Sequence, residues 1–194
     1  MSCGAILAAN DPIVSSPEQM VERYALQRFG LRIRIDYKTS DRNKHCHTPD
    51  RHSDERRERF QAYRTSGRED LLPNDVTASK VGSYFASDEL LQIARYEFLT
   101  RFHKEMASFA EKCERLGKNK TFSASFPSLR VFGSGVDVRS GDPQWHEGIQ
   151  HVRFRYRYAD GVFHEITGFP DIDAHIKDRK SLVGVVHPIF LGER

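Results

Sequence analysis

The chain has 194 residues, of which 38% are hydrophobic and 29% are charged, and its formal net charge is +3 at pH 7. This length is typical of one domain, or of one domain with an appendage. The net charge favours a nucleic-acid partner only weakly, so an electrostatic function would need local clusters of charge.

Cysteine content and hydropathy indicate the cellular compartment of the protein. Its three Cys residues are widely spaced and form no CxxC pair, which argues against a disulfide framework and favours a reducing compartment. The segment AILAA near the N-terminus follows no basic region, and no apolar run approaches the roughly 18 residues that span a bilayer. We expect a cytoplasmic protein with no membrane partner, although export by a route without a signal would leave no trace.

The first predicted helix lies in SSPEQMVERYALQRFG, where Ser16 is the expected N-cap of a capping box and Gly30 ends the helix. Residues 31–37, LRIRIDY, then alternate between apolar and polar side chains as a strand does. Arg32 and Arg34 fall on the polar side of this strand.

A polar stretch follows over residues 38–54 and is predicted to be a loop. It brings together side chains of the zinc-ligand types: His45, Cys46, His47, Asp50 and His52. Their spacing matches no common zinc site, so we predict a polar loop, no bound metal and no cofactor. A short charged helix over 54–64 and a mixed connection over 66–83 are expected next.

The strongest helix is predicted to begin after the N-cap Ser87 and to end at Gly117. At about 1.5 Å per residue it would run roughly 43 Å, long enough to cross a small domain. Its apolar side chains recur every three or four residues: Leu91, Ala94, Phe98, Phe102, Met106, Phe109, Cys113 and Leu116.

Four strands are predicted after this helix, at 128–138, 150–158, 162–168 and 182–191, with turn-rich segments between them. We therefore predict an α+β fold in which a long central helix packs on a curved antiparallel sheet of about four strands. Residues 1–86 would form an N-terminal helix, strand and loop region, and 87–194 the helix and sheet, all within one compact domain. The layout is similar to cystatin-like and nuclear-transport-factor-like folds and to some small ribonuclease toxins, without any family motif.

The hairpin over residues 150–169, QHVRFRYRYADGVFHEITGF, allows two registers. A two-residue turn would place Glu165 among apolar side chains and bury its carboxylate, which is costly. A three-residue loop over 159–161 would instead set Arg155 opposite Glu165 and place His164 on the apolar face. We predict the three-residue loop.

That register predicts a polar patch with a net positive charge, made of Arg153, Arg155, Arg157, Glu165 and Thr167. A planar guanidinium group can donate two parallel hydrogen bonds to the oxygens of one phosphate. The patch therefore indicates a phosphate-bearing partner and above all RNA. The alternative is a solvated face that keeps the sheet soluble. Arg32 and Arg34 would strengthen the RNA interpretation if their strand joined the same face.

A metal-independent ribonuclease-like toxin or effector is a further hypothesis for this patch. Such an enzyme needs a histidine or carboxylate beside a group that stabilises the developing anion. His151 falls on the arginine side by alternation and is the predicted base, with Glu165 and Arg155 as its catalytic partners.

Trp145, the only tryptophan, lies in GDPQWHEG, a predicted loop. An exposed Trp there would indicate a recognition site, whereas a Trp folded onto the core would be structural. Two other functions therefore stay open: a non-enzymatic protein-interaction module and a small-ligand-binding domain. No GxSxG, P-loop or dinucleotide motif is present.

Overall fold

The computed structural model describes residues 15–37, 46–48, 65–66 and 79–183. Its helices and strands are, in chain order, α1 Pro17–Phe29, β1 Ile33–Arg34, β2 Val81–Phe85, α2 Asp88–Leu116, β3 Lys120–Pro127, β4 Gly133–Asp137, β5 Gln144–Ile149, β6 His151–Ala159, β7 Val162–Pro170 and α3 Ile172–Val183. The predicted α+β fold is confirmed. Within these ranges, no helix has the length and apolar character needed to cross a membrane.

Two sheets are present in the described part of the chain. The larger has the strand order β1-β7-β6-β3; β1 runs parallel to β7, and the other neighbours are antiparallel. The smaller is antiparallel, with the order β2-β4-β5. The long helix and a sheet of about four strands were predicted, whereas the second sheet was not.

Both predicted helices begin and end where their capping residues stand. The Ser16 hydroxyl accepts a hydrogen bond from the backbone N–H of Gln19, and the Gln19 side-chain oxygen accepts one from the backbone N–H of Ser16, which completes a capping box. Ser87 caps α2 through the N–H of Leu90. Gly30 and Gly117 end the two helices in the left-handed conformation that glycine adopts without strain.

The core lies between α2 and the larger sheet. Phe98 of α2 is fully buried, and its ring lies 5.1 Å from that of Phe154, 5.4 Å from Tyr156 and 6.3 Å from Phe126. Aromatic side chains of this size supply most of the apolar area that a small domain buries. The apolar stripe of α2 therefore fixes which side of the larger sheet faces inward.

Several predicted segments differ from the structure. The strand expected over 128–138 is reduced to β4, while β3 precedes it and was not predicted. The turn-rich segments expected after residues 138 and 168 contain β5 and α3. Residues 182–183, expected in a strand, belong to α3; the rest of that strand and the helix expected over 54–64 lie outside the described residues.

The prediction of a three-residue hairpin loop is also wrong. The turn consists of Asp160 and Gly161, both with positive φ, and Ala159 pairs with Val162. Two-residue turns with two positive φ values match the twist of the flanking strands. This register sets Arg157 opposite His164, so the prediction that His164 lies on the apolar face is wrong as well.

A β-bulge then changes the alternation of β7. Tyr156 pairs with Glu165, but the preceding residue Arg155 pairs with Thr167, which leaves Ile166 as an extra residue. Thr167 consequently lies on the side of Arg155, as predicted, although the extra residue sits in the strand and not in the loop. Glu165 lies on the other side, against the core.

Candidate functional site

The side of the larger sheet that faces away from α2 carries the predicted arginines, and we call it the arginine face. Directly paired residues of neighbouring strands point to the same side of a sheet, so the strand registers define its members. Beside Arg153, Arg155 and Arg157 of β6, the pairings place these residues there: Thr121, Ser123 and Ser125 of β3, His164, Thr167 and Phe169 of β7, and Arg34 of β1.

The arginines of this face differ in their partners. Arg153 donates from Nε to Asp171 Oδ2 at 2.9 Å, and Arg34 donates to Glu22 Oε2 at 2.9 Å. Arg155 is exposed and Arg157 is half-buried, and neither forms an ion pair with a described residue. The uncompensated positive charge of the face is therefore centred on Arg155 and Arg157.

The predicted strand with Arg32 and Arg34 does join this sheet. Ile33 pairs with the buried Phe163, and Arg34 pairs with His164 of the arginine face. Arg32 and Arg34 also line a groove of about 370 Å³ between β1 and α1. Because Glu22 of α1 forms an ion pair with Arg34, the net positive charge is smaller at this edge than at the centre of the arginine face.

Glu165 does not belong to the arginine face, and this corrects its predicted placement. Its carboxylate and the Arg95 guanidinium are both fully buried; Arg95 Nη2 lies 2.7 Å from Oε1, and Nε lies 3.1 Å from Oε2. Tyr156 also donates its hydroxyl to Oε2. Burial and the neighbouring Glu165 charge raise the pKa of Tyr156 well above its usual value, so this phenol stays a hydrogen-bond donor.

The short segment at residues 46–48 completes this buried polar cluster. Cys46 and Thr48 both donate to Glu165 Oε1, at 3.2 and 3.1 Å, and Thr48 accepts from the N–H of Gly168. Burial and the Glu165 charge raise the pKa of the Cys46 thiol, which is unfavourable for a nucleophile. The cluster fastens the loop segment to β7.

The histidine-rich stretch is only partly described. His47 donates its backbone N–H to the carbonyl of Ile166 at 2.8 Å, whereas His45, Asp50 and His52 lie outside the described residues. Among the residues that the structure describes, no group of three or more His, Cys, Asp or Glu side chains could hold a metal ion.

His151, the predicted base, shares the alternation of the arginines along β6, but its side chain is not exposed. It is buried, and its Nε2 lies 2.6 Å from Asp178 Oδ2 on α3. Four residues of a strand separate it from Arg155, a distance of about 13 Å. The predicted group of His151, Arg155 and Glu165 is therefore not brought together.

A cavity of about 370 Å³ lies at one end of the arginine face, where β2 and the start of α3 approach β7. Arg155, Thr167 and Phe169 form one wall, and His47 lies beside them. The opposite walls include Ser83, Asp171 and Asp173. Sequence reasoning named Arg155 and Thr167, but it could not place His47 next to them, since His47 comes from a distant segment of the chain.

Trp145 lies on β5 opposite Val136, not in a loop, and its exposed fraction is 50%. It therefore offers some apolar surface without being detached from the smaller sheet. Comparison of the chain with protein-family models, with curated proteins and with solved structures finds no match.

Proposed function

We propose that this protein binds a phosphate-bearing partner, above all RNA, on the arginine face. The observation that carries the proposal is the burial of Glu165. It is the only carboxylate in β1, β3, β6 and β7, so its withdrawal leaves Arg155 and Arg157 beside hydroxyl groups and no acidic neighbour from these strands.

The chemistry of the neighbours supports a phosphate ligand. Ser123 lies opposite Arg155 and Thr121 opposite Arg157 on β3, and both are exposed. Side-chain hydroxyls and guanidinium groups together supply most of the contacts that proteins make to nucleic-acid phosphates. An open sheet face is also a surface on which proteins bind single-stranded RNA.

The cavity supports a site for one nucleotide at the end of such a strand. Its volume of about 370 Å³ lies within the range of small-ligand pockets, roughly 300–1,000 Å³. Arg155 and Thr167 would hold a phosphate, and Phe169 offers a ring beside it. A cytoplasmic location, which the cysteine content favours, would give access to RNA.

Cleavage of the bound RNA is a second candidate, favoured by the position of His47 beside Arg155 and Thr167. In a metal-independent reaction the 2′-hydroxyl attacks phosphorus, its proton passes to His47, and the 5′-oxygen leaves with a proton from water. The product is a 2′,3′-cyclic phosphate. Arg155 would stabilise the charge on the phosphorane.

The test measures binding of fluorescently labelled single-stranded RNA and DNA by anisotropy across a salt series, with and without chelator. Arg155→Ala and Arg157→Ala should each weaken RNA binding and lower the slope of log K against log salt by about 0.7. Arg115→Ala is the matched control, because it removes the same charge from an exposed position on α2. Losses no larger than that of the control would contradict the proposal.

The same samples, run on a denaturing gel, test cleavage. A cyclic-phosphate product that persists with chelator and disappears in His47→Asn would support the enzymatic candidate. Binding without any product would leave an RNA-binding protein. Absence of both would favour the rival, a protein-interaction module that docks through the half-exposed Trp145.

A further inference from the structure

Three histidines meet where β5, β6 and α3 come together: His146, His151 and His175, which we call the histidine cluster. The rings of His151 and His175 are 6.1 Å apart in an edge-on arrangement, and His146 is close enough for its charge to act on His175. Four buried side-chain nitrogen or oxygen atoms in the described residues lack a hydrogen-bond partner. Three of them belong to this cluster: His146 Nε2, His151 Nδ1 and His175 Nε2.

Buried polar atoms without partners are rare in folded proteins, and a concentration of them calls for an explanation. His151 Nε2 donates to the Asp178 carboxylate, and its Nδ1 has no hydrogen-bond partner among the described residues. The described residues do not offer the three convergent ligands of a metal site. Imidazole nitrogens are groups that take up protons in mildly acidic conditions, and those of this cluster that lack a partner are candidates for such uptake.

The surrounding charges can balance one proton and not two. Asp178 compensates a charge on His151; on His175 its favourable effect is the smallest contribution and is opposed by burial and by Arg179, His151 and His146. Burial first, and then these neighbours, hold the pKa of His175 below its usual value of 6.5.

The other carboxylates at this junction are already engaged. Asp171 accepts from Arg153, and Asp137 accepts from Arg139, which also pairs with Asp173 of α3. A second proton on the cluster consequently adds a buried cation without a partner anion.

We propose that the histidine cluster is a proton-operated latch on α3, so that acidification loosens this helix and adds Arg153 to the uncompensated charge of the arginine face. Asp171, the residue before the helix, accepts from the N–H of Ala174 in the first turn and from Arg153, while Asp178 of the helix covers His151. Loosening the helix withdraws Asp178 and breaks the contact to Ala174 that holds the Asp171 carboxylate beside Arg153. This consequence for ligand binding rests on the proposed function, whereas the latch itself does not.

The direction follows from linkage. A histidine whose pKa is lower in the folded state contributes stability that is complete above pH 6.5 and is lost as the pH falls. Each proton taken up when α3 is released changes the opening equilibrium by up to about tenfold per pH unit. The response therefore belongs to mildly acidic conditions.

Hydrogen–deuterium exchange of the α3 amides, corrected for the intrinsic effect of pH, tests the latch. Between about pH 7.5 and pH 5.5, protection of α3 should fall by up to about tenfold, most of it below pH 6.5, while α1 keeps its protection. His175→Gln keeps a neutral polar side chain and should remove most of this response. Should that variant fail to fold, NMR titration of the wild-type histidines gives the answer, because His175 must then titrate below 6.5 together with loosening of α3.

Unchanged α3 protection over this range, or a full response in His175→Gln, would overturn the latch. RNA binding gives a separate result: affinity should rise in acid, and Arg153→Ala should reduce that rise. Binding that depends on Arg155 and Arg157 with an unresponsive α3 would leave the proposed function intact and refute the latch. A responsive α3 in a protein that binds no nucleic acid would do the reverse.

Discussion

The buried pair of Arg95 and Glu165 provides the sharpest test of the fold. We consider Arg95→Met, Glu165→Leu and the double variant, which replace charged side chains by apolar ones of similar size. Both side chains are fully buried, and three hydrogen bonds of 2.7, 3.1 and 3.3 Å join them. Removing one member leaves an uncompensated charge in the core, which costs about 3–5 kcal/mol.

The double variant separates a true pair from two independent contributions. Two independent losses would add to about 6–10 kcal/mol, close to the whole stability of a typical domain. An apolar replacement of both members leaves no unpaired charge in the core, since Glu18, which lies 3.6 Å from Arg95 Nη1, keeps contact with solvent, so the double variant should be no less stable than either single variant. The coupling free energy is then at least about 3 kcal/mol.

Urea denaturation followed by circular dichroism measures these free energies, provided that the dependence on urea stays constant among variants. Arg34→Met is the matched control, because its partner is also a glutamate but 66% of the Arg34 side chain is exposed. This control should lose no more than about 1 kcal/mol. A comparable small loss in Arg95→Met, or additive losses in the double variant, would refute the reasoning.

Two further predictions concern packing and alkaline pH. A methyl group at Gly168 would overlap the fully buried ring of Phe154, so Gly168→Ala should cost about 1–3 kcal/mol, and an unchanged urea midpoint would contradict this packing. Burial and the hydrogen bond to Glu114 raise the pKa of Tyr158 to about 12 from 10.0. Stability should therefore fall as the pH rises above 10.0, and Tyr158→Phe should make that fall shallower in urea midpoints measured across this range.

The helices could be predicted from sequence because the groups that begin and end them are local. Ser16 and Ser87 each satisfy a backbone N–H three residues ahead, and Gly30 and Gly117 each adopt a left-handed conformation next to the last turn. None of these interactions depends on a distant part of the chain. The same holds for the alternation of β6, whose even-numbered residues from Val152 to Tyr158 are buried.

The hairpin could not be predicted because its register depends on Arg95, seventy residues earlier in the chain. The two-residue turn was rejected because it buries the Glu165 carboxylate, and such burial is costly when no cation is near. Arg95 lies beside Leu91, Ala94 and Phe98 on the apolar stripe of α2, and this was the available clue. An arginine on a buried helix face requires an anion from the sheet beneath it.

The bulge at Ile166 links the core to the arginine face. Before the bulge, odd-numbered residues of β7 point inward, which delivers Phe163 and Glu165 to the core. After it, the order reverses, so Thr167 and Phe169 point outward beside the arginines. The two-residue turn thus gives Arg95 its partner and removes the only carboxylate of these strands from the arginine face, and the bulge brings Thr167 and Phe169 to that face, so the register that stabilises the core also makes the opposite face cationic.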